Sequence, residues 1–140
     1  MVSNSQDKSV SPSDQCFGCG KNNPCGVKLE FDWDGKVARA EFIPTELHQG
    51  WGDIVHGGIL ATLLDEAMAY AACFEGVPGV TGAMELKYKK PTRVWQKLII
   101  TARVTKNARR FAETEATITQ PNGTIITEAK ATQFIQKLEL

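Results

Sequence analysis

Two groups of residues in this 140-residue chain combine types and spacing that suit chemistry. The first is His56-Gly57-Gly58 followed by Asp65, eight positions after Gly57. Glycines at the head of a helix leave backbone N–H groups open to close approach, and the positive end of the helix dipole favours an anion or a developing oxyanion there. Asp65 adds a carboxylate able to act as base or nucleophile. It falls away from the leucine stripe, beside Ala61, Thr62, Met68 and Ala69, on a face without Lys or Arg. Such a face accepts another helix, a backbone or a ligand better than open water. The same residues also fit a plain glycine turn and the rim of an ordinary amphipathic helix. The second group is Cys16-x-x-Cys19 with Cys25 nearby.

Charge is sorted along the chain. Ala40 to Leu86 contains no Lys or Arg, whereas Lys87 to Arg110 contains nine and no Asp or Glu. An acidic, apolar half suits reaction chemistry on a greasy substrate, and a basic half suits phosphates attached to it. Solvated strand faces give the same pattern. Spacing adds a constraint, because eight helical positions span roughly 12 Å, too far for one carbonyl to touch both Gly57 and Asp65 of a single chain. Either the two serve different purposes, or the helices of two subunits lie antiparallel and bring Asp65 of one to Gly57 of the other. The second option requires an obligate dimer with two equivalent sites.

The elements that position these groups follow from periodicity. Leu60, Leu63, Leu64, Ala67, Met68, Ala71 and Phe74 recur at helical spacing until Gly76 and Pro78 end the pattern. Upstream, Val27 to Phe31 and Lys36 to Ile43 read as strands joined at Asp34-Gly35, and Pro44 to Val55 reads as a long loop. Downstream, Val80, Gly82, Met84, Leu86 and Tyr88 alternate with polar or small residues as in a half-buried strand. Three further strands follow, the last two joined at Asn122-Gly123. Segregated helix and strands imply an α+β fold with an antiparallel sheet.

Composition bounds the rest. The chain is 42% hydrophobic, with sixteen basic and sixteen acidic residues, which fits one compact domain and lacks the basic excess of a nucleic-acid binder. Residues 1–15 are expected to be a flexible arm and residues 16–140 a single domain. No export signal is visible, and the apolar stretch at Ile59 to Phe74 holds Asp65 and Glu66, so a cytoplasmic chain with reduced thiols and no membrane partner is expected. Cys16 and Cys19 offer one ligand pair plus a stray Cys25, an incomplete zinc spacing, so no metal is expected. A redox role would need a strand-to-helix junction that does not follow the pair.

The run from His56 to Met68 resembles the helix motif of hotdog-fold acyl-CoA thioesterases, specifically the phenylacetic-acid-degradation type. The resemblance extends to His48-Gln49-Gly50-Trp51-Gly52, to Pro78-Gly79-Val80-Thr81, and to Tyr88 and Pro91, covering roughly Phe42 to Ile135. The Cys-Phe-Gly-Cys-Gly and Asn23-Pro24 segment is similar to a leader found in part of that family. It implies a curved antiparallel sheet of five to six strands around one long helix. By the same resemblance Asp65 is the catalytic base or nucleophile, Gly57 donates its N–H to the thioester oxygen, His56 shapes that hole, and Thr81 orients water. Some relatives carry Asn where Gly50 stands, which leaves Gln49 as the nearest amide. Lys89, Lys90, Arg93, Arg109 and Arg110 are the candidates for coenzyme A phosphates, coenzyme A being part of the substrate and no separate cofactor being expected. A homodimer or homotetramer hydrolysing acyl-CoA or aryl-CoA is the expected protein. The competing readings are an acyl-thioester hydratase or dehydratase using His56 and Asp65, and a non-catalytic acyl-CoA-binding domain.

Overall fold

A computed structural model describes residues 12–135. One helix, α1 (Gly57–Phe74), is wrapped by a six-stranded sheet of β1 (Asp32–Trp33), β2 (Ala38–Phe42), β3 (Gly79–Tyr88), β4 (Leu98–Asn107), β5 (Phe111–Thr119) and β6 (Ile125–Ile135). Strand order is β1-β2-β4-β5-β6-β3, and every pairing is antiparallel. This is the α+β architecture expected, with β3 at one edge of the sheet.

The helix starts where His56, in an extended conformation, caps it by accepting the Gly58 N–H on Nδ1. It stops in a Schellman turn: Val77 N–H reaches Ala72 O, Gly76 N–H reaches Cys73 O, and Gly76 supplies the positive φ this turn needs. Between the caps, Leu60, Leu63, Leu64, Ala67, Met68 and Ala71 are buried. They meet Ala38, Ala40, Leu98, Ile100, Ala116 and Ile118 of the sheet. The small strand residues let the sheet close onto the helix. Met68 thus belongs wholly to the core and not to the Asp65 face.

Two expectations about strands are corrected. Val27 to Phe31 is not a strand: Lys28 takes a positive φ of 59°, and Val27 and Leu29 donate to Phe17 O and Gly18 O of the cysteine segment instead of pairing with β2. The hairpin at Asp34-Gly35 exists, but its first arm is only Asp32–Trp33. In β3 the alternation breaks at a bulge between Thr81 and Ala83. Val80 is therefore exposed, and the inner face reads Thr81, Met84, Leu86, Tyr88, as their partners Gln133, Ala131, Ala129 and Thr127 on β6 show. A Cβ at Gly82 would overlap the Phe134 ring, so a side chain at the bulge would require that exposed ring to shift.

Residues 1–11 of the expected arm and 136–140 of the expected domain lie outside the described residues. Ser13, Asp14 and Gln15 are hydrogen-bonded to the cysteine segment through Cys16 N, Asn22 N and Asn23 Nδ2.

The helix–sheet contact carries the fold. Leu63→Ala, at a fully buried position, is expected to lower the unfolding free energy by about 2–5 kcal/mol in urea denaturation, the cost of deleting a core side chain and leaving a cavity.

Candidate active site

Asp65 sits half-buried on the side of α1 turned away from the leucine stripe. The bulge in β3 aims Thr81 at it, and Thr81 Oγ1 donates to Asp65 Oδ1 at 2.7 Å. Oδ2 makes no hydrogen bond among the described residues, so one carboxylate oxygen is held and the other is left for chemistry. Behind Thr81 stands Gln133, fully buried, with Oε1 3.4 Å from the same hydroxyl. Sequence reasoning did not single out Gln133; its only signal is a polar residue at an inward position of β6.

At the head of the helix, His56 has a defined task. Its Nδ1 takes the Gly58 N–H at 2.8 Å, which fixes the proton on Nε2 in the neutral ring. The Gly57 N–H has no acceptor among the described residues. His56 thereby removes the competing donor and leaves Gly57 as the open one. Tyr88, at the end of β3, donates its hydroxyl to Gly57 O at 2.9 Å and pins this peptide to the sheet. Gly57 and Asp65 thus share one helix but not one site within a chain, and no hydrogen bond joins His56 to Asp65.

The loop before the helix contains a 3-10 turn at Glu46–His48. Thr45 and His48 cap it reciprocally, with His48 Nδ1 accepting Thr45 N–H at 2.9 Å. His48 O in turn accepts His56 N–H. Gly50 packs on His56, 3.3 Å separating its would-be Cβ from His56 Cα. The Gln49 side chain is exposed and makes no hydrogen bond to His56, Gly57 or Asp65.

The five candidate phosphate ligands separate into two groups. Lys89, Lys90 and Arg93 follow β3 at the end where Tyr88 meets Gly57. Arg109 and Arg110 lie in the β4–β5 turn, where Arg110 O accepts Ile135 N–H, opposite the start of β3. Arg93 holds Asp53 at 2.6 Å and Lys89 holds Glu128 at 3.2 Å, both pairs substantially exposed. Such surface pairs are weak and exchange readily for a better anion. Lys90, Arg109 and Arg110 have no carboxylate partner among the described residues. A groove of about 450 Å³ lined by Glu85, Lys87, Arg103, Glu115 and Lys130 lies on the outer face of the sheet, opposite Asp65.

The cysteine segment folds onto the same helix. Cys16 Sγ lies 3.4 Å from Glu66 Oε1, and Cys19 N–H points to Cys16 Sγ at 3.4 Å. Burial pushes the Cys19 thiol up to about 12, with the Glu66 carboxylate adding to the effect and a hydrogen bond with Tyr70 opposing it. Cys19 is therefore held as the thiol and not as a thiolate nucleophile.

The thioesterase superfamily model matches residues 52–127. Human acyl-coenzyme A thioesterase 13 is 32% identical over 104 residues, covering 72% of this chain and 74% of that protein. The crystal structure of zebrafish thioesterase superfamily member 2 superposes with a TM-score of 0.73 at 28% identity, over 78% of this chain and 82% of the other. A hypothetical thioesterase from Streptococcus pneumoniae, crystallised with coenzyme A, shares the fold with a TM-score of 0.74 at 20% identity, over 80% and 91% of the two chains.

Burial holds His48 below its ordinary value of 6.5, with Glu46 opposing, and its cap requires an unprotonated Nδ1. The unfolded chain then binds more protons near that pH, so stability falls as pH drops through about 6.5 and levels off below the folded-state value. Urea midpoints measured from about pH 7.5 to about pH 5 are expected to decline more steeply for the native protein than for His48→Gln.

Proposed function

The chain belongs to the thioesterase superfamily, a hotdog-fold family, and from that premise we propose that it hydrolyses acyl-CoA or aryl-CoA thioesters, in the manner of the phenylacetic-acid-degradation branch. The observation that carries this reading is a carboxylate held on one oxygen by Thr81, on the same helix as a Gly57 N–H that nothing among the described residues uses. Acyl transfer needs both groups: a base or nucleophile for attack, and a donor for the oxyanion that attack creates.

In this reading the thioester carbonyl rests against Gly57 N–H, where the helix dipole adds to the hydrogen bond. The free oxygen of Asp65 removes a proton from water that attacks the carbonyl carbon, or attacks that carbon itself and forms an anhydride that water then opens. Collapse of the tetrahedral oxyanion breaks the C–S bond, and the coenzyme A thiolate leaves and takes up a proton. Thr81 fixes the carboxylate throughout. His56 acts through Gly58 and the helix start, its Nδ1 being occupied by the Gly58 N–H.

The site is shared between subunits. Gly57 and Asp65 of one helix stand roughly 12 Å apart along its axis, while two antiparallel helices place each Asp65 beside the other chain's Gly57. The exposed edge of β3, flanked by exposed Val80 and Phe134, suits continuation of the sheet into a second copy. Lys89, Lys90 and Arg93, at the Gly57 end, are placed to meet coenzyme A phosphates there; Arg109 and Arg110 serve at the other end of β3.

Two measurements test this. Against a panel of acyl-CoA and aryl-CoA esters, Asp65→Asn is expected to lower kcat at least ~100-fold with little change in KM; thiol release at native rates would remove Asp65 from the reaction, and the absence of release from every ester by the native protein would leave a binding domain. Gly57→Pro removes the N–H alone, since His56 already has an extended conformation compatible with a following proline. Refolding equal amounts of inactive Asp65→Asn and Gly57→Pro chains together is expected to restore about one quarter of native activity, because half of the dimers formed at random carry one intact site. No recovery, with mixed dimers shown by mass spectrometry, would mean the sites are not shared.

A further inference from the structure

One cluster of thiols and a carboxylate lies outside the proposed reaction. Cys16 Sγ, Cys19 Sγ and a Glu66 carboxylate oxygen all lie within 4.8 Å of one another. We propose that these three residues bind one zinc ion that fastens the cysteine segment to the helix.

Several independent features of the chain build this site. Cys16-x-x-Cys19 is a chelating spacing, and the turn between the two cysteines is closed by Gly20 N–H to Cys16 O at 2.8 Å. Cys19 N–H is directed at Cys16 Sγ, the kind of contact that orients a metal-bound sulfur and stabilises its negative charge. The approach of Glu66 depends on Gly18: a Cβ there would sit 2.4 Å from Glu66 Oε2 and 2.5 Å from its carboxylate carbon. The loop thus has a side-chain-free concavity occupied by a carboxylate from the helix.

The donor set selects the metal. Two thiolates and one carboxylate carry three negative charges, and thiolate softness favours zinc over magnesium or calcium. The two thiols lose their protons to solvent when the ion binds, and no electrons are transferred. Three protein ligands leave a fourth position for water, and a cavity of about 300 Å³ lined by Cys16, Glu66, Tyr70 and Cys73 has room for it. Because Glu66 follows Asp65, an ion held here anchors the helical turn that carries the proposed catalytic carboxylate while contacting none of the reacting atoms.

Reduced full-length protein, loaded with zinc and passed through gel filtration, is expected to retain one zinc per chain by elemental mass spectrometry. Cobalt(II) in its place is expected to give a thiolate-to-metal charge-transfer band and the intense visible bands of tetrahedral coordination. Cys16→Ser and Cys19→Ser are expected to lose both signals, while Cys25→Ser, at an exposed position outside the cluster, retains them. Glu66→Gln and Gly18→Ala are expected to weaken zinc at least ~10-fold, since even partners of metal ligands cost 10- to 100-fold when removed. A chelator is expected to lower the Tm of the native protein but not that of Cys16→Ser. Native protein that retains no zinc and gives no thiolate–cobalt band overturns the proposal, as does stoichiometric zinc unaffected by Cys16→Ser. Zinc that survives Cys16→Ser but is lost in Cys25→Ser would also overturn it.

Discussion

Burial of the Leu60, Leu63, Leu64, Ala67, Met68 and Ala71 stripe fixes the rotation of the helix inside its sheet, and the rest of the molecule depends on that rotation. Six apolar side chains facing the strands leave one orientation for the remaining helix surface. Asp65 and Glu66 then point to two different neighbours. Asp65 meets Thr81 on the edge strand; Glu66 meets the cysteine segment. A turn of the helix by one residue would bury a carboxylate against alanines and leucines, at a desolvation cost far above any gain from its partners. The core thus sets the chemistry by deciding which way adjacent acids face.

The same dependence explains what the sequence could and could not disclose. The helix was legible because its apolar spacing and both ends are local: glycines at the start, Gly76 and Pro78 at the end. The tight turns at Asp34-Gly35 and Asn122-Gly123 were legible for the same reason, since positive φ at Gly35 and Gly123 is a property of a few residues. Asp65, Gly57, His56 and Thr81 could be nominated from the helix motif and its resemblance. That Thr81 touches Asp65, and that His56 caps Gly58 and so leaves Gly57 open, required the fold.

Elsewhere the controlling contact was remote. Val27 to Phe31 has strand composition, yet Lys28 adopts a left-handed conformation because Val27 and Leu29 pair with Phe17 and Gly18. In β3, strict alternation places Val80 with Met84, whereas one extra residue, Gly82, reverses the faces ahead of it because two residues there oppose one on β6. Charge order along the chain suggested one basic surface, whereas antiparallel strands send Lys89 and Arg110 to opposite ends of β3. Glu66 gave no sequence signal as a companion of Cys16, fifty positions away. Pairings across the fold are set by topology, and a one-dimensional pattern carries them only where both partners are close in the chain.

The two ends of the helix section that matter, Gly57 and Asp65, are kept apart by the very regularity that makes the helix stable. Eight residues at 1.5 Å rise impose roughly 12 Å between them, and no side-chain adjustment shortens a backbone N–H. A two-fold axis removes this obstacle without changing either residue, because an antiparallel copy presents its head to this chain's middle and its middle to this chain's head. The surface that would have to be covered is suited to it: the helix face beside Asp65 bears Ala61, Thr62 and Ala69 and no Lys or Arg, so a partner helix approaches without stranding a cation. The edge of β3 lies on the same side, and its bulge at Gly82 directs Thr81 inward while leaving the outer backbone groups of the strand for a second sheet. In the proposed dimer, assembly and chemistry would rest on the same few residues: the small side chains that would admit a partner helix are the ones that surround the carboxylate.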